Sequence, residues 1–292
     1  MLQILQRKFI KIVSKLYDPL VNLNIGNQVI KVPFSHQLRT NVKVYPDYNF
    51  NLPRIIQYIS KHTSNLHVID IGANIGDTVA FIKNYSNAPI LCIDGEKKYF
   101  RILKSNVAQY KNVSACNALV GEKNEEANVS MKMDRGTAVV VEAADKIMIR
   151  TLENILDEFP DFKHAKVLKI DTDGYDTLIL RGCTNLLKTI KPVLFLEYDP
   201  YLITQNNDDP FQFIDYLKDC GYAYLIFYTN TGDLLLSCNI EQRDIIDQLI
   251  NYFSGRNISM FADICAFASE DKELYDDCVK QELSHFKKSR NY

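Results

Sequence analysis

The segment His67-Val68-Ile69-Asp70-Ile71-Gly72-Ala73-Asn74-Ile75-Gly76-Asp77-Thr78 constrains this chain more than any other. An apolar run ends in Asp-x-Gly-x-Asn-x-Gly-Asp and continues into a helical pattern, so a buried strand hands the chain to a helix through a glycine turn. A turn of this kind belongs to an open α/β sheet, and in that architecture it lies where nucleotide-like ligands are held.

The spacing of the glycines narrows the ligand. A dinucleotide fingerprint reads Gly-x-Gly-x-x-Gly, with its second glycine letting the backbone touch a pyrophosphate. Here Asn74 takes that second place and Asp77 adds a carboxylate to the first helical turn. Acids on both sides of the turn repel a pyrophosphate but suit a ligand carrying a sulfonium and an amino group. The expected cofactor is therefore S-adenosylmethionine, with Asp70, Gly72, Ala73, Asn74, Gly76 and Asp77 as its candidate cradle. A second buried run, Ile90 to Ile93, delivers Asp94 24 residues after Asp70, where a carboxylate can grip a ribose diol. Phe100, Leu103, Val107 and Tyr110 then recur at helical spacing, and a strand from Val113 to Cys116 leads to Asn117, an expected neighbour of the adenine.

Strand and helix patterns continue to alternate, as a doubly wound parallel sheet requires. Strands are expected over Val167 to Ile170 and Val193 to Leu196, with one helix over Tyr175 to Leu187. Ala127 to Met133 and Ala138 to Val141, parted by Asp134-Arg135-Gly136, read as a hairpin over the substrate side. Thr151 can cap the helix it opens. A helix from Pro210 to Cys220 precedes strands over Tyr222 to Tyr228 and Leu234 to Leu236, a helix over Ile240 to Phe253 and a last strand over Met260 to Ala268. The expected division is a cap over residues 1–65, a cofactor-binding core over 66–270, and a polar C-terminal helix or tail over 271–292.

The candidate chemistry lies at the ends of the fourth and fifth core strands, because ligands bind outside the carboxyl ends of such strands. Asp171 and Glu197 fall there as neighbours across the sheet, and a carboxylate beside a like charge can accept a proton from a hydroxyl. Asp171 can equally hold its loop by accepting amide bonds. Asp173, Asp176 and Glu197 form an acidic group without a histidine or a ligand loop, so no metal is expected. Lys169 reads as readily as a salt-bridge partner as a base. His36 follows a front strand expected over Asn27 to Phe34, could reach the pocket, and receives no role. Tyr198 and Tyr201 could face a sugar ring.

These landmarks, in order, resemble the FkbM-type S-adenosylmethionine-dependent methyltransferases. The similarity is carried by Asp70-x-Gly-x-Asn-x-Gly-Asp, Asp94, Phe100-x-x-Leu103-x-x-Asn106, Asn117-Ala118-Leu119, Thr151-Leu152-Glu153, Leu168-Lys169-Ile170-Asp171-x-Asp173-Gly174-x-Asp176 and Glu197. The chain has Asp94-Gly95 where the family usually has Glu-Pro, and Asp at 173 and 176 where it usually has Glu. The resemblance implies a Rossmann-like class I methyltransferase fold, with an antiparallel strand near the C-terminal edge of the sheet. It also implies O-methylation of a hydroxyl on a sugar, a glycan precursor or a secondary metabolite. Two other classes stay open. A nicotinamide-dependent oxidoreductase or sugar epimerase would want glycine at 74, and a catalytically silent cofactor-binding partner would bind without turnover.

Composition sets the outer limits. A formal net charge of −2 gives no basic surplus, so nucleic acid is not the expected partner. Seven cysteines without a CxxC pair read as buried thiols in a reducing compartment. No apolar run is long enough to span a membrane, and Lys8, Lys11 and Lys15 interrupt any signal-peptide core, so a cytoplasmic location is expected. Residues 1–18 place Leu2, Leu5, Phe9, Ile12 and Leu16 on one helical stripe opposite basic residues. Such a stripe can pack on the core, pair two copies as a homodimer or rest on an anionic membrane surface.

Overall fold

The computed structural model describes residues 17–134, 137–254 and 260–290, so nearly all of the stripe at residues 1–18 lies outside the described residues. A hairpin of β1 (Leu20–Ile25) and β2 (Gln28–Pro33) leads to α1 (Leu38–Val44) and α2 (Asn51–Ile59). The first half of the core follows as β3 (Val68–Ile71), α3 (Asp77–Ile82), β4 (Ile90–Ile93), α4 (Lys97–Val107) and β5 (Val113–Cys116). A small sheet of β6 (Leu119–Val120), β7 (Glu125–Asp134) and β8 (Thr137–Arg150) interrupts the alternation before α5 (Leu152–Leu156). The second half runs β9 (Val167–Ile170), α6 (Asp176–Arg181), α7 (Thr184–Thr189), β10 (Val193–Tyr198), α8 (Pro200–Gln205) and α9 (Pro210–Asp219). It closes with β11 (Tyr222–Thr229), β12 (Leu234–Asn239), α10 (Arg243–Ser254), β13 (Ala262–Ala268) and α11 (Lys272–Ser289).

The main sheet has eight strands in the order β12-β11-β13-β10-β9-β3-β4-β5. From β10 to β5 all neighbours are parallel, whereas β13 is antiparallel to both β10 and β11. The chain is thus an α/β protein of Rossmann-like class I methyltransferase topology, with the antiparallel strand near its C-terminal edge. The strands β3, β4 and β9 are buried at every position, which follows from helices covering both faces. Ile69 and Ile71 pack on one face with residues of α5, α6 and α9, and Val68 packs on the other with residues of α2, α3 and α11.

After β3 the chain steps outward to β4 and β5, then returns to place β9 on the other flank of β3. This reversal of direction opens a crevice at the carboxyl ends of β3 and β9. The N-terminal hairpin is fastened beside it by Asn106. Its amide donates to the carbonyls of Lys31, at 2.9 Å, and Ile75, at 2.8 Å, and its oxygen accepts from Lys31 N–H at 2.9 Å.

Three expectations are corrected or refined. The helix expected over Tyr175 to Leu187 is two helices, α6 and α7, because a Cβ at Gly182 would lie 2.5 Å from the carbonyl oxygen of Gly121 and the chain turns at that close approach. The run expected over Ala138 to Val141 is part of a longer strand, β8, paired with β7 from Glu125↔Ile149 to Asp134↔Thr137. The C-terminal segment, expected as a polar helix or tail, is a helix with a packed face. Leu274, Cys278, Glu282 and Phe286 bury one face of α11, the period of four that a packed helix shows. The seven cysteines are all buried thiols. No helix among the described residues is long and apolar enough to cross a membrane.

Candidate functional site

The glycine turn is built by close approach. Gly72, with φ 77°, stands where a Cβ would lie 1.9 Å from the carbonyl oxygen of Asp171, so only glycine lets the ends of β3 and β9 meet. Asn74 is left-handed at φ 50°, a conformation that asparagine tolerates. Gly76, at φ 82°, caps α3. The N–H of Asn74 donates to Oδ2 of Asp94 at 2.8 Å, and the N–H of Glu96 donates to its Oδ1 at 2.8 Å. Burial nevertheless pushes the Asp94 carboxyl up to about 7, against those two bonds.

A cleft of about 240 Å³ opens above this turn. Gly72, Asn74 and Asp94 form one part of it, Tyr99, Ala118 and Leu119 another, and Asp171, Thr172, Asp173 and Tyr175 a third. The β6–β8 sheet adds Glu125 and Ile149, and the turn between β6 and β7 adds Glu122. Among the described residues lining the cleft there is no Lys, Arg or His, while five carboxylates face it: Asp94, Glu122, Glu125, Asp171 and Asp173. An anionic ligand finds no counter-charge in that lining, whereas a cation does.

The other residues named from sequence support the turn without lining the cleft. Asp70 is fully buried and accepts from Lys169 Nζ at 2.9 Å. That pair follows from register, because Asp70 lies opposite Lys169 in the parallel β3–β9 ladder and both side chains share one face. Burial alone would lower the Lys169 ammonium, but Asp70 and Asp171 hold it above its ordinary value. Ala73 is buried beneath the turn. Asp77, at the start of α3, is pushed up to about 6 by burial, with Asp70 adding to the rise. Asn117 is exposed, and its amide donates to the carbonyl of Asp94 at 2.7 Å.

A second, smaller cavity of about 30 Å³ lies on the α2 side of the sheet, and Asp171 lines both. The period of two along neighbouring strands brings Lys169 and Asp171 of the β9 end, Glu197 of β10 and Asp263 of β13 onto this one face. Lys169 Nζ lies 3.3 Å from Asp171 Oδ2. Glu197 accepts the N–H of Asp173 at 3.1 Å, and it lies opposite Asp263 in the β10–β13 ladder. Burial, reinforced by Asp171, Asp173 and Asp176, raises the Glu197 carboxyl well above its ordinary range. Asp176 clamps the loop, accepting from Thr172 N–H at 3.0 Å, Thr172 Oγ1 at 2.7 Å and Glu197 N–H at 3.1 Å.

Sequence reasoning missed Asn51 and Asp263. Asn51 Nδ2 donates to Asp263 Oδ2 at 3.0 Å across 212 residues of chain, a separation at which no local spacing gives a signal. Tyr198 does not face a ligand. It is 1% exposed, its hydroxyl donates to the carbonyl of Pro210 at 2.6 Å, and its ring stacks on Phe213.

A family model described as Methyltransferase FkbM domain matches residues 70–224. No curated protein matches the chain. Among solved structures, methyltransferase FkbM from Methylobacillus flagellatus KT is 17% identical, with a TM-score of 0.39 over 55% of this chain and 39% of that one. The chain therefore spans well under half the length of that relative. TYW2 from M. jannaschii in complex with AdoMet is 12% identical, with a TM-score of 0.40 over 86% of this chain and 87% of that one. Precorrin-6y C5,15-methyltransferase from Geobacter metallireducens GS-15 is 15% identical, with a TM-score of 0.38 over 70% and 81%.

Proposed function

The chain belongs to the FkbM methyltransferase family, and from that premise we infer that it transfers a methyl group from S-adenosylmethionine to a hydroxyl of a sugar, a glycan precursor or a secondary metabolite. When bound, S-adenosylmethionine supplies an electrophilic methyl group on a positively charged sulfur. The observation that carries the reading is the larger cleft, whose lining offers carboxylates and, among the described residues, no cation. That lining disfavours the pyrophosphate of a nicotinamide cofactor and fits a sulfonium with an amino group.

In this reading Gly72 and Asn74 receive the methionine part, and Asp94 accepts the ribose hydroxyls. Asp70, Ala73, Gly76 and Asp77 hold the turn from below, and Asn117 steadies the backbone of Asp94 beside the adenine. Asp171 belongs to the wall common to both cavities, so it is the group best placed to orient an acceptor oxygen against the methyl carbon. Lys169 fixes that carboxylate by ion pairing. Glu197, raised by burial among other acids, is placed to take the proton that the acceptor releases. Cytoplasmic residence, and an acceptor that is a small molecule or glycan, complete the proposal.

The test is a screen of methyl glycosides and polyols as acceptors, read as release of S-adenosylhomocysteine. Replacement of Asp171 by Asn is expected to lower turnover at least about tenfold with little change in cofactor affinity, the pattern of an interaction made with the reacting groups. Equal losses in both would assign Asp171 to the cofactor or the fold instead.

A further inference from the structure

His36 lies in the front cap, outside every motif, yet it touches the cofactor turn. Its backbone N–H donates to the carbonyl of Pro33 at 3.0 Å. The preceding residue is tied to Asp18 through Ser35 N–H at 2.9 Å and Ser35 Oγ at 2.8 Å. The imidazole is thereby held in one place, 8% exposed, with its ring centroid 5.7 Å from that of Tyr99. Nδ1 accepts the N–H of Leu38, the first residue of α1, at 3.2 Å, which puts the ring proton on Nε2. Nε2 lies 3.4 Å from Oδ1 of Asn74. Tyr99 and Asn74 both line the larger cleft, and the N–H of Asn74 is bonded to Asp94.

This contact accounts for the departure at position 74 from a glycine fingerprint. The turn needs a left-handed residue there, with φ 50°. Glycine would supply the conformation alone, whereas asparagine supplies it together with an acceptor for the cap. We propose that His36 is a positioning residue for S-adenosylmethionine, acting through Asn74 to fix the glycine turn against Asp94. Burial holds the imidazole below its ordinary value, although the Asn74 bond and Asp18 act the other way, and the neutral ring is the form that both hydrogen bonds require. The assignment rests on the reading that the larger cleft holds the cofactor.

A double-mutant cycle read by calorimetric titration with S-adenosylmethionine tests it. His36→Leu is expected to weaken binding about fivefold, the loss of one net hydrogen bond. His36→Gln can accept from Leu38 and donate to Asn74, and should stay within about twofold of wild type. In an Asn74→Gly background, His36→Leu should bring no further loss. Equal losses in both backgrounds, or none in either, would overturn the assignment while the cofactor reading stands. No binding by the wild type would overturn the cofactor reading itself and this assignment with it. Should His36→Leu not fold, ¹⁵N NMR of histidine-labelled wild type decides. The assignment expects a neutral ring protonated at Nε2 whose signal moves on adding S-adenosylmethionine. A cationic ring near neutral pH, or a signal that does not respond, would overturn it.

Discussion

Asp94 keeps two backbone amides and still holds its proton up to about 7, because burial outweighs both bonds. A ribose diol donates to the ionised carboxylate, so S-adenosylmethionine affinity should fall as the pH drops through about 7. Replacement of Asp94 by Asn should weaken binding about tenfold, the range for a hydrogen bond to a charged group, and flatten that pH dependence. Calorimetry across the range checks both, and an unchanged affinity would remove Asp94 from the ribose. Gly72 and Asp94 were legible in the sequence because their chemistry is local: a turn that only glycine can make, and an acid at the end of a strand. Asn51 and Asp263 were not, and of His36 the reach to the pocket was legible but its partner was not, since each meets its partner only when distant segments pack.

At the scale of elements, α11 is joined to α2 by a buried ion pair. Arg54, 3% exposed, donates from Nε and Nη2 to Glu282 at 2.8 Å each, and Tyr58 Oη donates to the same carboxylate at 3.1 Å. Removal of Glu282 leaves the buried guanidinium with only Asp47, 3.5 Å from its Nη1, so Glu282→Ala should destabilise the protein by about 3 kcal/mol, as measured by denaturant unfolding. A loss near zero would mean that α11 does not pack on α2 as described. The polar composition of the last residues concealed how this helix packs, because Glu282 interrupts the buried stripe of Leu274, Cys278 and Phe286. The break between α6 and α7 was hidden for a related reason: Gly182 turns where another backbone approaches, and helical periodicity carries no trace of that neighbour. The parallel strands, by contrast, are continuous apolar runs bounded by turn residues, and these placed the core sheet correctly.

The whole molecule concentrates carboxyls raised above their ordinary range at one end of its sheet. Asp94, Asp173, Asp176 and Asp263 are each pushed up to about 7, with burial the largest cause. An acid whose folded value exceeds its unfolded value takes up a proton on folding. The stability this confers is present at low pH and lost as the pH rises through the folded value. The melting temperature of the ligand-free protein should therefore fall between about pH 4 and about pH 7, and a rise over that interval would contradict the burial of these groups. The acids that line the larger cleft, Asp94, Glu122, Glu125, Asp171 and Asp173, argue for a cationic cofactor at the β3–β9 crevice, and calorimetric titration with S-adenosylmethionine and, separately, with NAD⁺ tests it most directly. The account predicts micromolar binding of S-adenosylmethionine and none of NAD⁺, whereas binding of NAD⁺, or of neither, would contradict it.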